Sequence, residues 1–399
     1  MHQHRGNPDG GSVLRARYES FGGIVCWTEP PALLHVDRQF MRELGYAESP
    51  LWQQESGVLS APTEVHLSIT NNCPMHCRHC YMDSGSGADS ELSTEAIKRT
   101  VRSMADAGVF HVALGGGEPF SRSDCLEIAR YCREVGLVPN ITTNGFYMTE
   151  TLARECSVFG QVNVSMDAAT GPSQSVRGHE GFAVGDRALR LLRGQDVSTG
   201  TNCVLTRYNY DHIPELVEYA SGLGLSNILF LRFKPSGRAL PLYGSNRLTP
   251  EQGRELVPLL IGLAGKTKVR LHVDCSFAPL VYCHEPDPTP CSFLSFLGCV
   301  AGDVLAGVTP AGRLNACSFC PDDAGPAERI GELWHASPHF DRFRRWPDHA
   351  PEPCRSCRYL QICRGGCHVV AESVTDDFGA PDPECPRVVS FATERSRNG

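Results

Sequence analysis

Short apolar runs alternate with amphipathic helical patterns through the middle of the chain, from about residue 62 to about residue 240. The runs are rich in β-branched residues, and the segments between them repeat apolar positions every three or four residues. Such alternation is typical of β–α units on a parallel sheet. Because a closed barrel of this kind has eight strands, the pattern predicts an α/β fold with a partial (β/α)6 barrel. The strand candidates are EVHLSI, FHVALG, LVPNITT, QVNVSM, GTNCVLT and ILFLRF.

The regions on either side of this alternation have different patterns. Residues 1-61 contain a hairpin pattern and a short helix without candidate chemistry, so we interpret them as a strand-rich N-terminal extension that covers the fold. Residues 62-245 hold the predicted barrel, and residues 246-298 combine a helix with the proline-rich EPDPTP, as in a bridge between domains. In residues 299-399 the apolar periodicity fades while Cys, Gly and Pro accumulate, which predicts a domain organised by metal.

Composition narrows the class of protein. A chain of 399 residues with 41% hydrophobic and 21% charged residues is long and apolar enough to bury a large core. No apolar run approaches the roughly 18 residues of a membrane span, and the N-terminus lacks a secretory signal, so we expect a cytoplasmic protein without a membrane partner. The net charge of −8 provides no basic surface, so we expect no nucleic-acid partner.

The cysteines are numerous and unevenly distributed. The chain has 19 of them, and in a reducing cytoplasm they do not form a disulfide framework. Three lie within eight residues near position 75, and eight more fall between Cys299 and Cys385. Clusters of this kind indicate metal binding.

The first cysteine group, in NNCPMHCRHCYMD, has the spacing CxxxCxxC over Cys73, Cys77 and Cys80. Three thiolates on a four-iron cluster leave one iron without a protein ligand, whereas an electron-transfer cluster normally takes four cysteines. A small molecule with an amino and a carboxylate group can chelate that iron. Zinc is the alternative, because CxxC pairs also suit tetrahedral sites, which His76 or His79 would complete.

A glycine triplet follows the second strand candidate and ends in Glu-Pro. The glycines at 115–117 let the backbone approach a ligand closely, and Glu118 can accept hydrogen bonds from an ammonium group. An ordinary strand-to-helix turn is the alternative. Because the carboxyl ends of parallel strands meet at one edge of a sheet, we expect the cysteine loop, the glycine loop and the turn at Thr143 and Asn144 to face one site.

The two motifs together resemble those of the radical S-adenosylmethionine (SAM) superfamily. The likeness lies in CxxxCxxC followed by an aromatic residue, and in Gly-Gly-Gly-Glu-Pro at 115–119. It implies a [4Fe–4S] cluster and SAM as cofactors, with reductive cleavage to methionine and a 5′-deoxyadenosyl radical that abstracts a hydrogen atom from a substrate. It also implies that Glu118 binds the methionine amino group and that Tyr81 lies near the adenine. The remaining implied cofactor-binding residues are Gly115, Gly116, Gly117, Thr143, Asn144, Ser165, Asp167 and Arg177.

The later cysteines resemble the SPASM domain, which holds two auxiliary iron–sulfur clusters in related enzymes. The pattern begins with Cys299-x12-Gly312-x4-Cys317 and continues with CxxC-x5-C-x3-C. Structural zinc is the alternative. The resemblance thus implies a partial radical SAM barrel with a C-terminal cysteine-rich SPASM domain. It assigns Cys299, Cys317 and Cys367 to a nearer cluster, and Cys354, Cys357, Cys363 and Cys385 to a farther one.

The nearer cluster lacks a cysteine that many relatives have, because Ala306 stands where it is expected. We expect this cluster to use Cys320, Cys291 or a non-cysteine ligand, or to keep an iron open to substrate, with Cys320 as the first candidate by proximity. Cys275 and Cys283 precede the domain and are candidate hydrogen-atom donors to a substrate radical. We interpret the other isolated cysteines as small buried hydrophobic residues.

A basic run, Arg232, Lys234 and Arg238, ends the sixth strand candidate. We expect it either to bind a carboxylate of the substrate or cofactor, or to form an exposed patch at the strand end.

Over about residues 62 to 390 the chain looks most like the mycofactocin-type peptide maturases, through GGGEP, VRG, PSGRA and CRGGCH. This likeness implies an oxidoreductase that makes a crosslink or a decarboxylation in a ribosomally made peptide, with a reductant such as flavodoxin or ferredoxin. Because a fold does not specify a substrate, two alternatives stay open. One is a radical SAM enzyme acting on a small molecule such as a tetrapyrrole, and the other is a non-catalytic iron–sulfur or zinc protein.

Overall fold

The computed structural model describes residues 3–5, 14–28, 31–54, 57–87, 90–169, 177, 181–195, 197–289 and 297–398. The described strands form a four-stranded antiparallel sheet near the N-terminus and a larger ten-stranded sheet. The first sheet contains β1 (Gln3–Arg5), β2 (Leu14–Glu19), β3 (Gly22–Thr28) and β4 (Pro31–Asp37), and α1 (Arg38–Glu43) follows it.

The larger sheet contains a parallel strand at each of the six predicted apolar runs, which confirms the predicted α/β class. Neighbours in the sheet are also neighbours in the chain, as repeated β–α units require. These strands are β5 (Glu64–Thr70), β6 (His111–Gly116), β7 (Val138–Thr143), β8 (Gln161–Ser165), β9 (Thr199–Leu205) and β10 (Asn227–Arg232).

Amphipathic helices connect these strands. In the first, buried Ile97, Val101 and Met104 follow the helical period along one face, and the Ser93 side chain caps the first turn. The helices up to the bridging region are α2 (Thr94–Ala107), α3 (Cys125–Glu134), α4 (Glu150–Glu155), α5 (Gly181–Arg193), α6 (Ile213–Leu223), α7 (Tyr243–Asn246), α8 (Pro250–Ala264) and α9 (Ala278–Tyr282).

The sheet extends beyond the six predicted strands at both edges. The bridging region supplies β11 (Arg270–Val273), which pairs in parallel with β10. At the other edge β12 (Leu305–Val308) pairs in parallel with β5 and is followed by β13 (Arg313–Asn315) and β14 (Gly325–Pro326). The six predicted strands are therefore the central strands of a larger sheet, whose edge strands are too short for their apolar pattern to stand out.

The C-terminal region shares its core with the barrel. Trp334 and Phe340 belong to the same apolar cluster as Val65 and Leu67 of β5. None of the helices in the described part of the chain is long and apolar enough to cross a membrane. The C-terminal helices are α10 (Ile330–Ala336), α11 (Pro338–Arg344), α12 (Leu360–Cys363), α13 (His368–Thr375) and α14 (Pro386–Asn398).

The N-terminal sheet packs against the amino ends of the barrel strands. The buried Arg15 guanidinium donates hydrogen bonds to the carbonyl oxygens of Gly136 (2.7 Å) and Ala105 (3.2 Å), and Arg17 donates to that of Gly108 (2.8 Å). These carbonyl groups lie at or just beyond the C-terminal ends of α2 and α3, where helices leave acceptors unpaired. The extension therefore lies on the side of the sheet opposite to the strand ends that carry the motifs.

Candidate functional site

The three cysteines of the first motif lie on the loop that follows β5. The backbone N–H of Cys73 donates to Gly85 O (2.7 Å), which closes the loop on itself. Within the loop, Cys80 N donates to Cys77 O (3.3 Å), and Ser84 N donates to Cys80 Sγ (3.4 Å). Burial raises the pKa of Cys77, and the nearby thiols of Cys73 and Cys80 raise it further. The motif therefore gathers three thiols in one small, partly buried region.

The glycine loop bonds directly to the strand end that leads into the cysteine loop. Gly117 N donates to Thr70 O (2.8 Å), and Gly116 has a φ of +116°, which side chains rarely adopt. A Cβ at Gly116 would overlap Thr70 O, and one at Gly117 would overlap Asn72 O. At Gly115 a Cβ would meet nothing within 4 Å. Two glycines therefore serve the contact between the loops, and Gly115 alone leaves open space beside the backbone.

Glu118 is fully buried at the junction of three loops. Its N–H donates to Asn72 O (2.8 Å), and its carboxylate accepts hydrogen bonds from Thr143 Oγ1 (2.7 Å) and Asn144 N (2.7 Å). Burial raises the pKa of Glu118 to about 7, although these hydrogen bonds act in the opposite direction. A neighbouring ammonium group would favour the ionised form. The structure thus brings the loops after β5, β6 and β7 together at one edge of the sheet, as predicted.

Asn144 joins the turn after β7 to the cysteine loop. Its Nδ2 donates to Cys73 Sγ (3.5 Å), while its Oδ1 accepts from Phe146 N (2.8 Å). A hydrogen bond to a thiolate stabilises the charge on sulfur, and such bonds influence the potential of an iron–sulfur cluster. The contact fits a metal-ligand role for Cys73.

A buried charged network connects the cysteine loop to the end of β8. Arg177 Nε lies 2.6 Å and His79 Nε2 3.3 Å from Asp167 Oδ2, and Val204 N donates to Asp167 Oδ1 (2.9 Å). Burial alone would raise the pKa of Asp167, yet Arg177 and His79 hold it below its ordinary value. Asp167 thus positions both Arg177 and the cysteine loop. Ser165, two residues earlier, is the last residue of β8. Sequence reasoning considered His79 only as a zinc ligand and missed this ion pair.

The basic run at the end of β10 separates into two roles. Lys234 and Arg232 are buried and pair with protein carboxylates, so the expectation of an exposed patch is wrong for both. Arg238 instead holds the cysteine loop, since its guanidinium donates to Cys77 O (2.9 Å) and Ser84 O (2.6 Å). The glycine in PSGRA was the available signal, because glycine often marks a close approach between backbones.

Tyr81 extends the site toward the C-terminal region. Its ring centroid lies 4.5 Å from that of Phe319, and Lys234 Nζ lies 4.3 Å from the centroid of the Phe319 ring. Phe319 comes two residues after Cys317. A line of aromatic contact therefore runs from the first cysteine motif to the cysteines assigned to the nearer auxiliary cluster.

The cysteines assigned to the farther cluster line one cavity, together with Cys283. Burial, together with the neighbouring thiols of Cys385 and Cys357, raises the pKa of Cys354 to about 12. Four cysteines facing one space supply the donor set that an iron–sulfur cluster takes. The cavity is lined by Cys354, Cys357, Cys363 and Cys385, as the resemblance implied.

The cysteines assigned to the nearer cluster also lie close together. Burial raises the pKa of Cys299 well above its ordinary value, and Cys275, Cys367 and Cys317 raise it further. Cys275, predicted as a hydrogen-atom donor, is thus a member of this group. Cys320 lies beside Cys317, and Arg342 donates a hydrogen bond to its Sγ (3.5 Å). Cys291 lies outside the described residues.

In the described part of the chain, no three His, Cys, Asp or Glu side chains converge as the ligands of a single metal ion do. The cysteine sets are related by shared loops, a shared cavity and mutual effects on pKa.

Comparison of sequences identifies relatives across most of the chain. Residues 67–220 match the family model of the Radical SAM superfamily. Mycofactocin maturase MftC of Mycolicibacterium smegmatis is 31% identical over 336 residues, which cover 82% of this chain and 83% of that protein. PqqA peptide cyclase of Rhodopseudomonas palustris is 26% identical over 342 residues, which cover 81% of this chain and 86% of that protein.

Comparison of structures gives the same fold. Streptococcus suis SuiB bound to S-adenosylmethionine superposes with a TM-score of 0.74 at 16% identity, covering 94% of this chain and 98% of that one. SuiB bound to its precursor peptide SuiA superposes with a TM-score of 0.72, covering 96% and 100%. At this identity the likeness shows a shared fold.

Proposed function

The chain belongs to the radical SAM superfamily, and from that premise we propose that it is a peptide maturase that oxidises a ribosomally made precursor peptide. The change we propose is a crosslink or a decarboxylation at a side chain. Relatives named as a peptide maturase and a peptide cyclase, each aligned over about four fifths of this chain, support a peptide as the substrate class.

The observation that carries the proposal is the bonding between the glycine loop and the cysteine loop. It puts the buried carboxylate of Glu118 beside Cys73, whose thiol has a pKa that burial raises and that Glu118 raises further. A site with three thiols and one adjacent carboxylate suits a ligand that has both an iron-chelating end and an ammonium group. SAM has both.

We assign the cluster that binds SAM to Cys73, Cys77 and Cys80. When bound, the cluster and SAM supply reductive cleavage to methionine and a 5′-deoxyadenosyl radical, which abstracts a hydrogen atom from the peptide. Asn144 donates to the Cys73 sulfur, and Arg238 holds the loop by its carbonyl groups.

The residues around the thiols would bind and orient SAM. Glu118 accepts from its amino group, and Gly115 leaves space beside the backbone. Thr143 and Asp167 act as positioning residues, because their side chains bind Glu118 and Arg177. The other assigned SAM-binding residues are Tyr81, Asn144, Ser165 and Arg177.

We further propose that flavodoxin or ferredoxin supplies the electron and that the enzyme works in the cytoplasm. A reducing compartment keeps thiols available for iron–sulfur clusters. The net charge of −8 favours a peptide partner over nucleic acid.

An anaerobic assay with a short peptide encoded beside the gene tests the substrate class. We expect 5′-deoxyadenosine to form and the peptide to lose the mass of two hydrogen atoms for a crosslink, or of carbon dioxide and two hydrogen atoms for an oxidative decarboxylation. Mass spectrometry of both products measures this. The control is Cys73→Ala, which should still bind the peptide but leave it unchanged. SAM cleavage coupled to a small molecule such as a tetrapyrrole, with no binding of any such peptide, would contradict the proposal.

A further inference from the structure

The resemblance assigns three cysteines to the nearer cluster, Cys299, Cys317 and Cys367, which is one fewer than a closed cluster needs. Ala306, at the position where relatives have a cysteine, lies on β12 opposite Val65 and is fully buried in the apolar core. No ligand can come from there. The fourth ligand, if the chain supplies one, must come from another element.

We propose that Cys275 is the fourth ligand of this cluster, together with Cys299, Cys317 and Cys367, so that no iron of the cluster is open to substrate. Cys275 follows β11, the edge strand that sequence analysis did not predict. The pairing of β11 with β10 carries Cys275 to the same edge of the sheet as the other motifs.

One buried ion pair connects the segment of Cys275 to the segment of Cys367. Arg232 donates to the carbonyl oxygen of Ser276 (2.9 Å) and to Asp382 Oδ2 (2.5 Å). The same Asp382 oxygen accepts from Cys367 N (3.0 Å). The backbones that carry these two cysteines therefore share the same pair of charged side chains.

The Cys275 thiol also has a direct contact with the segment of Cys299. It accepts a hydrogen bond from the backbone N–H of Val300, the residue after Cys299, and this bond lowers its pKa. Backbone N–H groups that donate to sulfur are among the features that set the potential of a cluster. The other three thiols accept in the same way, from Ala301 for Cys299, Phe319 for Cys317 and Val370 for Cys367.

Electrostatic effects support the same grouping. Burial, together with Asp274 and Cys367, raises the pKa of Cys275 to about 12, although Lys234 acts in the opposite direction. Burial alone would lower the pKa of Lys234, yet Asp274, Cys367 and Cys275 hold it above its ordinary value. Several buried thiols cannot ionise together without positive charge, which bound iron would provide.

Cys320, the alternative by sequence proximity, differs from Cys275 in the groups that its thiol contacts. Its Sγ accepts from Arg342 (3.5 Å), and its carbonyl oxygen accepts from Asn315 Nδ2 (3.1 Å). Burial raises the pKa of Cys320 and the Arg342 guanidinium lowers it. The backbone N–H of Cys320 donates to Cys317 O (3.1 Å), but its thiol bonds to Arg342, which lies outside the set around Cys275.

A cluster with four thiolates suits electron transfer rather than substrate binding. For a crosslink, the peptide loses one hydrogen atom to the 5′-deoxyadenosyl radical, then one proton and one electron as the new bond forms. A cluster held by Cys275, Cys299, Cys317 and Cys367 would accept that electron. Lys234 provides a positive charge beside it, which favours the reduced state.

The inference rests on the proposed function, because that function requires the clusters to be present. Its test does not depend on SAM cleavage. Cys73, Cys77 and Cys80 are replaced together by Ala in the full chain, so that the iron that remains belongs to the auxiliary sites. Cys275→Ala and Cys320→Ala are compared in this background after anaerobic reconstitution. Cys132→Ala, a buried cysteine in α3, is the matched control for loss of packing. If the inference fails here, SAM cleavage and peptide modification by the intact enzyme are unaffected.

The readout is the electron paramagnetic resonance (EPR) spectrum of the reduced protein with and without cyanide, together with iron and sulfide content. We expect cyanide to change the signal of one cluster in Cys275→Ala, because that variant opens a coordination position. The parent, Cys320→Ala and Cys132→Ala should not respond. A response of the parent, or an unchanged cluster in Cys275→Ala, would overturn the inference.

If Cys275→Ala and Cys320→Ala both lose the cluster, Cys275→Asp and Cys320→Asp decide between them. An aspartate carboxylate can replace a thiolate as ligand, so the variant at the true ligand keeps a cluster with a shifted signal. A shifted signal in Cys275→Asp supports the inference, and one confined to Cys320→Asp overturns it.

Discussion

At the scale of single residues, the ionisation of the Glu118 carboxyl group affects the binding of SAM. Burial raises its pKa to about 7, so the carboxyl is mostly protonated at pH 6 and mostly ionised at pH 8. The ammonium group of SAM needs the ionised form, and binding at low pH must first release a proton. We therefore expect SAM to bind about tenfold more tightly at pH 8 than at pH 6. Calorimetric titration of anaerobically reconstituted protein measures this.

The matched variant is Glu118→Gln, which keeps the size of the side chain but cannot ionise. We expect it to bind SAM more weakly and with the same affinity at both pH values. An affinity of the unchanged protein that does not vary over this range would rule out the proposed role of Glu118.

Residues in short motifs could be predicted, because spacing along the chain carries their signal. Cys73 and Glu118 belong to such motifs, and the structure brings their loops together as expected. Arg238 could not be predicted in the same way, since it lies 161 positions from Cys77, whose carbonyl it binds. Such a contact depends on how strands pair across the sheet, and local sequence pattern does not report it.

At the scale of elements, the glycine loop provides a matched pair of positions. Gly116→Ala would place a Cβ against Thr70 O in a backbone conformation that alanine rarely adopts, whereas Gly115→Ala meets nothing within 4 Å. We expect Gly116→Ala to lower the free energy of unfolding by about 2 kcal/mol, and Gly115→Ala by less than about 0.5 kcal/mol. Urea unfolding of both variants checks this, and equal effects would show that the loop contact does not need glycine.

Elements with long apolar runs could be predicted, and short edge strands could not. Each of the six central strands has a buried apolar face, which is clear even in the alternating sequence QVNVS of β8, so these strands could be recognised. β11 has only four residues and is partly exposed, so its sequence RLHV is too short for its alternation to be informative. β11 nevertheless ends two residues before Cys275. Only the fold therefore shows that Cys275 lies with the cysteines of the nearer group.

At the scale of the whole molecule, Arg232 and Asp382 connect the barrel to the C-terminal region. Both are buried, and Asp382 also accepts from the backbone of Cys367 and Glu384. Removing the Asp382 charge leaves the buried Arg232 with Glu384 as its remaining carboxylate partner, so we expect Asp382→Asn to cost about 3 kcal/mol in the free energy of unfolding. Denaturation in urea, followed by tryptophan fluorescence under anaerobic conditions, measures the loss.

The control is Asp323→Asn, which breaks the exposed pair with Arg313. Exposed pairs contribute little, so we expect less than about 1 kcal/mol. Equal losses in the two variants would show that the buried pair has no special part in joining the two regions.

The domain scheme of the whole molecule was predictable in outline only. A barrel followed by a cysteine-rich region follows from the change in pattern near residue 299. The shared core and the parallel pairing of β12 with β5 join these regions in one sheet. Pairing between strands far apart in the chain leaves no local signature, so it required the structure.

The most direct test of the central claim is an EPR titration of the reduced, reconstituted protein with SAM. If Cys73, Cys77 and Cys80 hold a cluster with one iron free for the cofactor, SAM changes the spectrum, and methionine and 5′-deoxyadenosine form in equal amounts. Cys73→Ala should show neither effect. A spectrum that SAM leaves unchanged, with no 5′-deoxyadenosine formed, would contradict the assignment of this site.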